Sequence, residues 1–152
     1  MHCLYLDFDG VIADSAAECI NSAYSVWCNM NKKNTSFFLS FDKESKLSTI
    51  NLALKNRSLV VPPEHYFCLI EAASILVNEN LVNESPISIS EKFLEIRHKI
   101  SPHILKEFKS NFFRFRESKF SNQSDSQWFE ENPPTIFTKK LFQMIESPKI
   151  KV

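Results

Sequence analysis

Leu4-Tyr5-Leu6-Asp7-Phe8-Asp9-Gly10-Val11-Ile12-Ala13-Asp14-Ser15 is the stretch on which the reading of this chain turns. Residues 2–7 are apolar and end in an acid, the pattern of a short buried strand. Asp14 or Ser15 is placed to cap a following helix. That helix carries Ala16, Ile20, Ala23, Tyr24, Trp27 and Cys28 at helical spacing. Strand, acidic bend and amphipathic helix together predict an α/β unit whose reactive groups sit at the carboxyl end of the strand, where open α/β sheets bind ligands.

Two aspartates at i and i+2 across that bend, Asp7 and Asp9, suit one reaction centre. One carboxylate can attack phosphorus and become an aspartyl-phosphate. The other can protonate the leaving oxygen and later take a proton from water. Both tasks favour Mg²⁺, a hard cation that takes oxygen ligands and neutralises phosphate. Gly10, the one glycine of the chain, lets the backbone turn so that its N–H groups face an anion. Against this stands the plainer reading of Asp-Phe-Asp-Gly as an ordinary turn. The surrounding strand and helix favour chemistry.

The whole string resembles the first motif of the haloacid dehalogenase superfamily, in the branch of phosphoglycolate phosphatases and β-phosphoglucomutases. The resemblance implies an α/β Rossmann-like core and an aspartyl-phosphate mechanism. Asp7 would be the nucleophile and a metal ligand. Asp9 would be the general acid/base and would give its backbone carbonyl to the metal. The backbone at Phe8 and Gly10 would hold the phosphate. The substrate would be a small phosphorylated metabolite. In that branch a helical cap follows the first motif, which implies core residues 1–13, a cap over residues 14–117 and a return segment over residues 118–152. Residues 56–66 look like cap sequence, and Phe113, Arg116, Trp128 and Asn132 look like the return to the core.

The family's other three motifs have no counterpart here. They are a strand-end Ser or Thr for phosphate, a charge-balancing lysine and a metal-completing acidic pair. Asp125 and Glu130-Glu131 do not follow a strand, nor does Ser147. The expectation is therefore the N-terminal portion of such an enzyme, mostly helical, with an incomplete core sheet and little or no activity on its own. Its unpaired strand edges would favour self-association. The competing expectation is a degenerate, non-catalytic relative acting as a helical binding module.

Composition narrows the setting. The chain has 152 residues, enough for one domain, and 18 basic residues balance 18 acidic ones. That balance exerts no general pull on nucleic acid or anionic membranes. No apolar run reaches the length of a membrane span, and the N-terminus does not read as a signal peptide. A cytoplasmic protein is expected. Cys3, Cys19, Cys28 and Cys68 are irregularly spaced, which predicts free thiols rather than zinc or disulfides.

Downstream, helices are expected over Leu47, Ile50 and Leu54 behind an Asp42 cap, and from Pro62-Pro63 to about Asn80. Others start at Ser90 and at Pro102, the latter with Phe108, Phe112 and Phe115 inward. A polar loop over residues 118–126, a turn at Trp128-Phe129 and a last helix after Pro133-Pro134 complete the pattern. Arg57 has two readings: a cap residue that pairs with a substrate carboxylate or phosphate, or a solvated surface charge. His98 and His103, at i and i+5 across a Ser-Pro break, read as surface histidines rather than metal ligands. His65 reads as packing at a helix start. The aromatic and basic run 112–120 reads as a core face, not a nucleic-acid platform.

Overall fold

A computed structural model describes residues 14–31, 43–79 and 88–145 of the chain. Seven α-helices and no β-strand occur among them: α1 (Ala16–Asn31), α2 (Lys43–Lys55), α3 (His65–Asn78), α4 (Ser88–Lys99), α5 (Pro102–Asn122), α6 (Asp125–Glu131) and α7 (Ile136–Ile145). A 3₁₀ turn, Arg57–Leu59, joins α2 to α3. The predicted first strand, Asp42 and Ser147 lie outside the described residues. So the mostly helical part of the expectation holds. The chain divides into two compact units, one of Met1–Cys19 with Asn122–Val152 and one of Ile20–Ser121.

The second unit is built around α3. Tyr66, Phe67, Cys68, Leu69, Ile70, Ala72, Ala73, Ser74 and Leu76 are all buried, which leaves this helix almost no polar face. A helix apolar all round must be covered on every side. Helices α2 and α4 pack on it. Helix α5 meets it through rings: Tyr66 with Phe112 at 5.5 Å, and Phe67 edge-on to Phe108 at 5.6 Å. On the α1 side, the Trp27 indole N–H donates to Glu71 Oε2 at 2.6 Å. Each fully buried large side chain contributes roughly 1.5–3 kcal/mol. The half-exposed ion pair of Lys109 with Glu64, at 3.1 Å, contributes at most about 1 kcal/mol. Apolar burial therefore dominates this unit.

Helix starts follow local chemistry. Asp14 Oδ1 accepts the Ala16 N–H at 3.3 Å, so Asp14 supplies the side-chain bond at the start of α1. Pro62 and Pro63 form a turn that accepts the N–H groups of His65 and Tyr66, and α3 proper begins three residues after Pro62. Pro102 opens α5, where its missing N–H leaves nothing unpaired. Helix α4 begins at Ser88, two residues before the expected Ser90, and presents Ile89 and Phe93 inward.

Helix α2 stands where expected, and two other expectations need correction. Leu47 and Leu54 on α2 face outward, Leu47 at 59% exposure, while Thr49 and Ala53 are fully buried. Small residues let α2 approach its neighbour closely, and the Thr49 hydroxyl is satisfied internally by the Ser45 carbonyl at 2.8 Å. The polar stretch expected as a loop instead continues α5 to Asn122, with the Ser121 hydroxyl donating to the Glu117 carbonyl at 2.9 Å. Trp128 and Phe129 sit in helix α6, started by a capping box. Ser124 Oγ accepts from Gln127 N–H, and the Gln127 side chain accepts from Ser124 N–H.

The two faces of α2 make a contrast that urea denaturation can measure. Leu47→Ala should change stability by less than about 0.5 kcal/mol. Ala53→Leu should cost about 1–3 kcal/mol by overpacking. Phe108→Ala, in the ring cluster, should cost about 3–5 kcal/mol.

Candidate functional site

Asp7, Phe8, Asp9 and Gly10 lie outside the described residues. The structure takes up the chain at Asp14. The Asp14 N–H donates to the Pro133 carbonyl at 2.8 Å. The segment leaving the acidic motif is thus tied, within its own compact unit, to the segment that enters α7. Asn132 next to it is fully buried. Its amide donates to the Trp128 carbonyl at 3.1 Å. Its Oδ1 is buried and has no hydrogen-bond partner among the described residues. Thr135 starts α7 by accepting the Thr138 N–H on its hydroxyl at 3.2 Å. Two helix starts, those of α1 and α7, are therefore gathered by one hydrogen bond.

Arg57 sits in the 3₁₀ turn of the second unit and is half-buried. Its Nε donates to the Tyr66 hydroxyl at 3.2 Å. Tyr66 is only 6% exposed, so the guanidinium is tethered to the core edge rather than freely solvated. The Tyr66 ring lies against Phe112, and the Arg116 guanidinium lies over the Phe112 ring, 5.5 Å from its centroid. Two guanidinium groups thus flank one aromatic pair. Sequence spacing gives no sign of this, since Arg57 and Tyr66 meet only because the Pro62-Pro63 turn folds between them.

No group of three or more His, Cys, Asp or Glu side chains able to hold a metal occurs among the described residues. His98 and His103 are exposed, as read. His65 packs edge-on against Phe93 at 5.9 Å. Burial, then the nearby Arg97 charge, lowers its pKa, with Glu64 opposing. Cys19, Cys28 and Cys68 are free thiols, and burial pushes the Cys68 thiol up to about 11, which makes it a poor nucleophile. No described helix is long and apolar enough to cross a membrane.

The second unit also contains a cleft of about 720 Å³ between the end of α1, Phe67 of α3 and one face of α5. Its floor is apolar, with Phe67, Phe115 and Ile104, and its walls carry asparagines and an arginine. Nothing in the linear sequence marks this cleft, because its walls come from helices far apart in the chain. Comparison with known proteins adds no constraint: no family model matches the chain, and no curated protein or solved structure matches it.

Glu71 supplies a pH prediction. Burial raises its pKa, and the bond from Trp27 partly offsets this. A carboxyl raised on folding holds its proton more tightly in the native state than in the unfolded chain. Stability therefore falls as pH rises from the unfolded pKa through the folded one, and the penalty is complete above it. Glu71→Gln keeps an oxygen for the Trp27 N–H and cannot ionise. The variant should melt higher than the parent at pH 7, with the difference shrinking toward pH 4 in thermal scans.

Proposed function

We propose that the chain carries the nucleophile motif and helical cap of a haloacid dehalogenase-like phosphatase. The reaction would be Mg²⁺-dependent hydrolysis of a small phosphomonoester through an aspartyl-phosphate on Asp7. The single observation that carries the reading is the sequence Asp7-Phe8-Asp9-Gly10 between an apolar strand pattern and helix α1. The two-unit division is in keeping with it. A chain that leaves one unit at Cys19 and re-enters it at Asn122 has the topology of a helical insertion after the first motif.

On this reading each residue has a defined task. Asp7 attacks phosphorus. Asp9 protonates the departing oxygen and then activates water. The N–H groups at Phe8 and Gly10 hold phosphate oxygens. Mg²⁺ would be held by the Asp7 carboxylate and the Asp9 carbonyl, and when bound it offsets phosphate charge. Arg57 offers a half-buried cation, oriented by Tyr66, for an anionic substituent of the substrate. These 152 residues supply no assignable lysine or acidic pair for balancing the nucleophile and completing the metal site. Efficient turnover needs those groups.

Two measurements test the reading on the chain as it stands. Mg²⁺ titration should shift the backbone amide signals of Asp7 and Asp9 at millimolar concentration, and Asp7→Asn should abolish the shifts. Hydrolysis of p-nitrophenyl phosphate in Mg²⁺ should stay near the uncatalysed rate. Strong turnover lost in Asp7→Asn would show that the site is complete after all. Absence of both the Mg²⁺ response and turnover would sink the assignment of Asp7.

A further inference from the structure

The cleft of the second unit is distinct from the proposed phosphatase residues and needs no part of that reading. Its lining on α5 runs through Ile104, Glu107, Asn111, Arg114 and Ser118, one stripe about 21 Å long at 1.5 Å per residue. Phe67 and Phe115 make the floor, and Asn31 closes the α1 side. A volume of about 720 Å³ falls in the range of small-molecule sites, which are apolar with a few convergent polar groups.

Four polar side chains of the lining, Asn31, Asn111, Arg114 and Glu107, bear on what it could hold. The amide nitrogen of Asn31 is buried and has no hydrogen-bond partner among the described residues. A buried donor left unmade costs free energy, and a ligand oxygen would remove that cost. The side chains of Asn111 and of the exposed Arg114 and Glu107 form no hydrogen bond or ion pair among the described residues. The Arg114 guanidinium and the Asn31 and Asn111 amides line the same cleft, and as donors they suit an anion. Glu107 lies two turns away along α5, about 10 Å off, and repels a second negative charge at that end.

We propose that this cleft binds an amphiphilic monoanion: a small carboxylate with an aromatic or branched apolar body. The carboxylate pairs with Arg114 and accepts from the asparagine amides. The apolar body covers Phe67, Phe115 and Ile104. Arg suits such an oxygen pair because its planar fork can donate twice. Glu107 excludes a dicarboxylate long enough to span the cleft.

The test uses the full chain with 8-anilinonaphthalene-1-sulfonate, an aromatic monoanion, and N-phenyl-1-naphthylamine, its uncharged counterpart. The sulfonate should bind saturably at one site per chain by fluorescence. Arg114→Gln should weaken it at least fivefold and leave the uncharged probe nearly unchanged. Lys55→Gln, which removes an equal charge from exposed α2, should leave both unchanged. Asn111→Trp, which fills the cleft, should remove both probes. Far-UV circular dichroism checks that each variant is folded. 4-Phenylbutyrate should displace the sulfonate, and the dianion suberate should not. Equal sulfonate affinity in Arg114→Gln and the parent would overturn the proposal, as would retention of both probes by Asn111→Trp or displacement by suberate as effective as by phenylbutyrate.

Discussion

The constraint on which the second unit depends is that α3 has no side that can face water. Nine of its fourteen residues are buried, and no polar stripe interrupts them. An isolated helix of this kind would not stay in solution. Its burial sets where α2, α4 and α5 must lie. It also sets what the facing residues must be: small on α2, aromatic on α5. The Trp27–Glu71 bond belongs to the same constraint. Glu71 is the one carboxylate on this helix, and it is tolerated because an indole N–H meets it at 2.6 Å.

That dependence explains which parts of the fold are legible in sequence. Helix α3 reads correctly because the proline pair and a long apolar run point the same way. The inward face of α5 reads correctly because Phe108 and Phe112 repeat at i and i+4. Helix α2 reads correctly as a helix, but its periodicity points to the leucines, whereas the residues it buries are Thr49 and Ala53. The close approach that prefers small residues is a tertiary demand, invisible within the helix. The Ser124-Gln127 box is different: Ser-x-x-Gln is a sequence-level signal, and a reading that weighs polarity first passes over it. The extension of α5 to Asn122 has the same origin. Serine looks like a loop residue until its hydroxyl is returned to a carbonyl one turn back, as at Ser121.

The candidate site divides along the same line. The acidic motif, Asp7 to Gly10, lies outside the described residues, and its reading rests on local sequence spacing alone. The Arg57–Tyr66 bond and the Asn31–Arg114 cleft are not legible, because each is made by side chains that only packing brings together. Local motifs announce chemistry, whereas recognition surfaces assembled from several helices do not.

The Asp14–Pro133 hydrogen bond bears on how one compact unit can carry a large helical excursion. It joins two residues far apart in sequence inside one compact unit. The entropy of closing a loop rises only with the logarithm of its length, so a whole helical unit can lie between them at little more cost than a short loop. What must be preserved is the closure point. On the proposed reading this separates two demands. The motif-bearing unit needs Asp14, Asn132 and Pro133 in place. The excursion needs a core of its own, and α3 provides one. Its surface is then free to carry Arg57 and the α5 cleft, and to change them without disturbing the two aspartates.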